Sequence, residues 1–226
     1  MDIIEAINTR KSIRAFKPDP VPKTVLEEML KVATRAPSGI NAQPWEFVIV
    51  AGEALKKLCE ANIARFNARE AVAWDMSGKS PPAPLPSVYR ERAIGLQAQL
   101  QALMNFTRED REKRAEWSRL GFRYFGAPAA IIITMDKALN TSSFFDIGLV
   151  TQTIALAALN YGLGTCIQGQ GIMYPKTVRE ITGIPESKHL VISIAIGYPD
   201  WSHPANRIHS DREPLDKITT WLGFEQ

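Results

Sequence analysis

The chain has 226 residues and a mass of 25.2 kDa, with 45% hydrophobic and 23% charged residues, which excludes a disordered chain and fits one sizeable folded domain. Its 27 basic and 24 acidic residues leave a net charge of only +3, with the cations mixed among acids, so the footprint of a nucleic-acid binder is missing. The longest purely apolar run, Ala127 to Ile133, is too short to cross a bilayer, and no internal repeat is present.

The first segment, Asp2 to Asn8, sets Ile3, Ile4 and Ile7 at helical spacing behind a possible Asp2 cap. It has no apolar signal segment, and Cys59 and Cys166 fit neither a disulfide framework nor a metal site, so a reducing, cytoplasmic setting is expected, with no membrane partner. Residues 9–22 read as an extended connector because of Pro18, Pro20 and Pro22. Val25, Leu26, Met29, Leu30 and Ala33 predict a helix that stops before Pro37-Ser38-Gly39. A strand is expected at 45–50 and a helix at 53–66.

Residues 77–87 hold Gly78, Pro81, Pro82, Pro84 and Pro86, and helical patterns follow at 88–104 and 107–120. The whole of 77–120 reads as an excursion from the core, the usual form of a loop placed over a site. Strands are expected at 129–135, 165–168 and 190–196, with a long apolar helix at 144–161 and a short one at 175–182 that opens on Pro175. The tail, 206–226, reads as a polar arm ending in a short helix. The order implies a layered fold around one sheet in a single domain, with no composition shift to mark a second.

Four segments carry the chemistry. In Arg10-Lys11-Ser12-Ile13-Arg14, an extended backbone puts Arg10, Ser12 and Arg14 on one face, where two forked guanidinium groups and a hydroxyl suit a phosphate; the plainer alternative is a solvated charge run. The connection 36–45 offers Ser38, Asn41 and Gln43 as polar groups, and Gly39 permits close approach, as in a binding loop or an ordinary polar turn. The glycine-rich run 162–171 lacks the register of a dinucleotide-binding loop and follows a helix instead of opening one. Its Gln168-Gly169 end can present backbone N–H groups to a flat ring, while Gly162 and Gly164 also suit a tight helix-to-strand turn followed by a bulge. Asn206 to Leu215 supplies Arg207, Ser210 and Arg212 for a return to the same phosphate. His189, His203 and His209 make no ligand pair, so no metal is expected.

Taken together, RKSIRAF, APSGINAQPW, GLGTCIQGQ and NRIHSDREPLD closely resemble the nitroreductase family of FMN flavoproteins over nearly the whole chain. The resemblance implies an α+β three-layer fold, with a central mixed, mainly antiparallel sheet flanked by helices, in an intertwined homodimer with two interfacial FMN sites. By the same resemblance Arg10, Lys11, Ser12 and Arg14 hold the FMN phosphate and ribityl chain, joined by Arg212. Pro37, Ser38, Gly39 and Asn41 reach the neighbouring subunit's flavin, and Gln168 and Gly169 face the reactive edge of the ring. NADH or NADPH is the implied electron donor and a nitroaromatic or other small organic molecule the acceptor, with reductive dehalogenation, enone reduction, flavin cleavage or simple flavin binding as alternatives on the same scaffold. The insert is similar to the lid of the nitrobenzoate-reductase-like branch. Within and beside it, Tyr89, Arg90 and Phe122 are the candidate substrate residues, with Arg92 beside them as a second cation for an anionic aromatic.

Overall fold

A computed structural model describes residues 2–75 and 86–224. Helix α1 spans Ile3–Thr9 and is capped by Asp2, whose side chain accepts from the Ile4 N–H. Helix α2 (Lys23–Ala33) precedes strand β1 (Glu46–Ala51), and α3 (Gly52–Asn67) follows it directly. Helices α4 (Ser87–Leu103) and α5 (Arg111–Phe122) make up the described part of the insert. The glycine and three of the prolines expected to stiffen its entry lie outside the described residues, while Pro86 stands at the α4 amino end. The remaining elements are β2 (Ala129–Asp136), α6 (Ser143–Asn160), β3 (Gly164–Gln168), α7 (Pro175–Thr182) and β4 (Lys188–Gly197).

The four strands form one sheet in the order β1-β2-β4-β3, every pair antiparallel. Its central strand explains the layers. Along β2, Ala129, Ile131, Ile133 and Met135 point to one face, where they meet Met29 and Ala33 of α2 and Ile147, Val150 and Ile154 of α6. Ala130 and Ile132 point to the other, against Leu55 and Leu58 of α3 and Val178 of α7. Side chains alternate along a strand, so a strand apolar at every position must be covered on both sides. Each fully buried isoleucine contributes about 1.5–3 kcal/mol, which makes this strand the stability centre of the domain.

Helix α6 is long and apolar enough by composition to cross a membrane. Here Ile147, Val150, Ile154 and Ala158 lie buried against the sheet, as expected of a core helix. A positive-φ turn at Gly162 leads out of it, and Gly164 then passes so close to Ile13 and Pro199 that a Cβ would fall 2.5 and 2.7 Å from their side chains. The expected bulge after this turn is absent. Strand β3 pairs with β4 in unbroken register, and the shift in the sheet falls at Ile133/Thr134.

The mixed character of the sheet comes from the amino-terminal connector. Ser12 makes a parallel bridge with Thr165, and the Ile13 N–H donates to the Thr165 carbonyl at 2.9 Å. This fixes residues 10–14 along the outer edge of β3. The tail departs from expectation. Among the described residues its only helical turns are 3₁₀ turns at Pro204–Arg207 and Leu215–Lys217, and its end is apolar and exposed at Leu215, Ile218, Trp221, Leu222 and Phe224. Polar residues near its start set the sequence impression, whereas residues 215–224 carry a large apolar surface that one chain leaves uncovered.

Candidate active site

The carboxyl-terminal arm folds back over the cationic segment through one residue. Asn206, 2% exposed, accepts from the Arg14 N–H through Oδ1 at 2.7 Å and donates through Nδ2 to the Ala15 and Asp200 carbonyls, both at 2.8 Å. Its own carbonyl accepts from Lys11 Nζ at 2.9 Å. A short amide side chain thus ties two segments 192 residues apart, and every polar atom it buries has a partner. Asn206→Ala strands the Arg14 N–H and two carbonyls, so we expect it to lower stability by about 2 kcal/mol in urea denaturation. FMN should also bind more weakly to this variant at urea concentrations where the fold persists.

The arm separates two adjoining cavities. One, of 630 Å³, is lined by Thr9, Arg10 and Lys11 on one side and by Ser210, Asp211 and Arg212 on the other. The Arg10 guanidinium makes no hydrogen bond or ion pair among the described residues, and Arg212 uses only Nη1, on the Ser210 and Asp211 carbonyls and the Ser210 hydroxyl. The other cavity, of 720 Å³, lies between α4 and α5 over a floor of Arg14, Phe125, Gln170 and Ile208. Ile208 borders both cavities, so they adjoin in a trough-like surface at this residue.

This placement divides the cationic run. Arg10, Lys11 and Arg212 share the first cavity, while Arg14 faces the second and does not join them. The Ser12 backbone bridges to β3, and its side chain lies beside the Cys166 thiol, which also feels the charges of Arg14 and Arg10, so the three stay on one side of the segment although Arg10 and Arg14 line different cavities. Burial pushes that thiol up to about 11 and does the same to Cys59, so both are protonated, inert strand and helix residues at neutral pH.

Gln168 is the most telling group at the end of β3. Its carbonyl accepts from the Ser193 hydroxyl at 2.7 Å, yet neither its side-chain Nε2 nor its Oε1 has a hydrogen-bond partner among the described residues, although both are buried. A buried primary amide left so costs about 1–3 kcal/mol. Next to it, Gly169 lies against the Trp74 indole, which a Cβ would meet at 2.0 Å. Ser193 and Trp74 were missed in the sequence because nothing local ties them to Gln168 or Gly169.

The Pro37–Asn41 loop is not brought to the trough of its own chain. The Gly39 N–H donates to Asp146 Oδ1 at 3.2 Å, which holds the loop at the start of α6. Ile40, Asn41 and Gln43 all have positive φ, at 49°, 58° and 46°, and the Ile40 side chain is fully exposed. A positive φ at a β-branched residue is strained backbone, which the surrounding loop must hold in place.

Of the substrate candidates, Phe122 is corrected to a core residue. It is 3% exposed, with its ring 5.0 Å from Phe66 and 5.5 Å from Tyr174. It ends an amphipathic helix, and its sequence position gave no sign of which face turns inward. Tyr89 and Arg90 stand on the first turn of α4, outside the lining of the 720 Å³ cleft. Arg92 lies over the Tyr89 ring at 5.5 Å and pairs with Glu213 of the arm at 3.0 Å. That pair closes the outer edge of the trough and leaves Arg92 already matched.

Comparison with known proteins places the fold in a family. The profile described as Nitroreductase family matches residues 7–198. The chain is 30% identical to a 4-nitrobenzoate reductase of Pseudomonas putida, over 100% of this chain and 97% of that protein. It is 31% identical to a chloronitrobenzene nitroreductase of Comamonas testosteroni, over 97% and 96%. Among solved structures, the FMN and NADPH-dependent nitroreductase NfnB from Sphigopyxis sp. strain HMH superposes with a TM-score of 0.94 at 31% identity, covering 99% of this chain and 100% of that one. The FMN-dependent NfnB from Mycobacterium smegmatis, solved in complex with NADPH, gives 0.91 at 27% identity, covering 97% of each. With the matched profile spanning most of the fold and its cationic segment, this chain belongs to the nitroreductase family.

Proposed function

We propose that this chain is an FMN-dependent NAD(P)H oxidoreductase that reduces nitroaromatic acceptors. One observation carries the reading: a cationic cavity at Arg10, Lys11 and Arg212 adjoins, at Ile208, a cleft between α4 and α5 that Arg14 also lines. The residues fit the cofactor. Unpaired cations suit its phosphate, and the orphaned Gln168 amide offers one donor and one acceptor to a heteroaromatic edge. FMN, when bound, supplies hydride chemistry in two steps, with NAD(P)H as donor and the organic acceptor taking its place.

The chain's own residues bind, orient and exclude water. Arg10, Lys11 and Arg212 hold the phosphate, with Asp211 limiting the local excess of positive charge. Ser12, fixed by its bridge to Thr165, holds the backbone between Lys11 and Arg14 in place. Arg14 places a permanent charge on the cleft floor, where it favours negative charge developing on a ring. Gln168 and Gly169 set the edge of that ring. The described lining of the cleft holds no carboxyl, imidazole, thiol or phenol, so protons reach the acceptor from water.

A homodimer completes this reading. The strained 37–43 loop, the exposed α1 residues Ile3, Ile4 and Ile7, Phe145 of α6 and the apolar end of the arm are the surfaces that a second copy would cover. Pro37, Ser38, Gly39 and Asn41 then serve the partner's cofactor, and α4 with α5 forms a lid on acceptor entry.

The test is direct. The purified protein is expected to carry a flavin spectrum, to bleach with NADPH or NADH under anaerobic conditions, and to recover its colour when nitrobenzene is added. Flavin that no nicotinamide reduces would leave a binding protein in place of an enzyme. A flavin-loaded species that sediments as one 25.2 kDa chain would sink the shared site.

A further inference from the structure

The segment that leaves β3, Gln168 to Gly171, is held from the core side by buried hydroxyls. Ser193 of β4 and Tyr124 are both fully buried, and their two hydroxyls are neighbours. Ser193 Oγ donates to the Gln168 carbonyl at 2.7 Å, and Tyr124 Oη donates to the Gly171 carbonyl at 2.8 Å. Asn62 Nδ2 of α3 adds a longer bond to the same Gly171 carbonyl, at 3.2 Å. Burial raises the Tyr124 phenol well above its ordinary range, so it stays protonated and remains a donor.

The chain is distorted to make the Tyr124 contact. Tyr124 and Phe125 both have positive φ, at 53° and 55°, a strained backbone for aromatic residues. A Cβ on Gly171 would fall 2.4 Å from the Tyr124 ring, so glycine is what leaves room for it. In a trans peptide the C=O of one residue and the N–H of the next point in opposite directions. Ser193 therefore turns the Gly169 N–H away from β4. The peptide after Gly169 is fixed through the turn. Its carbonyl accepts from the Ile172 N–H at 2.9 Å, and that N–H belongs to the peptide whose carbonyl Tyr124 holds. One hydroxyl thus orients the peptide before Gly169 and the other the peptide after it. The Gly169 N–H itself makes no hydrogen bond among the described residues.

We propose that Ser193 and Tyr124 are positioning residues that together aim the Gly169 N–H at the edge of the bound flavin. This rests on the reading of the chain as an FMN oxidoreductase, in which Gln168 and Gly169 set that edge. Aim matters because a hydrogen bond weakens steeply as its angle falls below about 120°.

Ser193→Ala and Tyr124→Phe each remove one hydroxyl. FMN-loaded wild type and variants are bleached anaerobically with whichever of NADPH and NADH reduces wild type. Each variant is expected to lower the limiting rate about tenfold, with the half-saturating donor concentration shifted less than about twofold. The double variant should fall less than about twofold further, since both hydroxyls act through one N–H. Affinity for riboflavin, which has the ring but no phosphate, should fall about fivefold in each single variant, the equivalent of one hydrogen bond, and FMN affinity by the same factor. Thr151→Val is the control. It removes a buried hydroxyl that donates to the Ile147 carbonyl within α6, and it should keep the wild-type rate and affinity. An unchanged limiting rate or an unchanged riboflavin affinity in both single variants would overturn the proposal, as would equal losses in Thr151→Val. If neither nicotinamide bleaches wild type, the proposed reaction falls, and riboflavin affinity alone still decides the positioning.

Discussion

Replacing Arg10 and Arg212 together by alanine is expected to weaken FMN binding about a hundredfold while leaving the fold intact. Each guanidinium faces the cavity beside Lys11 and Ser210, and neither is needed to neutralise a carboxylate within the chain. A hydrogen bond to a charged group contributes about 1.5–3 kcal/mol, and solvent access places these at the lower end, so the pair amounts to about 3 kcal/mol. At 1.4 kcal/mol per decade that is about two decades in Kd. Titration of the apoprotein with FMN measures it, and the residual turnover of saturated enzyme should stay close to wild type, since both side chains are remote from the reacting ring. An affinity within about threefold of wild type would remove both residues from the phosphate site.

Asp75→Ala is expected to destabilise the protein by about 3 kcal/mol or more. Arg179 is buried in α7 and is met by Asp75 Oδ2 at 2.8 Å, the Pro185 carbonyl at 2.6 Å and the Lys188 carbonyl at 2.7 Å. The same Asp75 oxygen accepts from the Leu190 N–H at 2.8 Å. Glu186, which also reaches Arg179 at 3.4 Å, is largely solvent-exposed and compensates little. Truncating Asp75 leaves a buried guanidinium without its close counter-charge and a strand N–H without an acceptor, a combination that costs about 3–5 kcal/mol in comparable buried pairs. Urea denaturation checks the value. Asp75→Asn, which keeps the acceptor but not the charge, should fall between the two. Because Asp75 stands where the chain leaves the core for the insert, and Trp74 beside it lies on Gly169, the alanine variant should also lose flavin affinity. A midpoint equal to wild type would show that the pair is not a clasp.

The fold was legible where periodicity and burial agree. The all-apolar run of β2 predicts a strand covered on two sides, and the helix at 144–161 reads as core despite its membrane-like composition, because Asp146, Thr151 and Gln152 interrupt it. The nature of the arm was less legible, since prolines and charges near 206–214 masked the apolar residues that follow. At the site, the identities of Arg10, Lys11 and Arg212 were readable from motifs, but the split that sends Arg14 to another cavity depends on the bridge between Ser12 and Thr165, a contact between distant segments. For the same reason the stripe that α5 turns toward the 720 Å³ cavity escaped notice. A helix rich in alternating charges looks like a solvated surface until its neighbour shows which stripe it faces. Phe122 was misread by the same limit: an aromatic near a lid is as easily a core anchor as a stacking platform.

The clasp through Asn206 also orders events in time. The cationic segment leaves the ribosome well before its partner amide, which emerges 192 residues later. At about 5–20 residues per second, roughly 10–40 s pass before the two can meet. Through that interval Arg10 to Arg14 lack both the amide that fixes their backbone and the edge strand beneath them, which is itself more than 150 residues downstream. Any binding that depends on this backbone is therefore expected only once residue 206 has emerged.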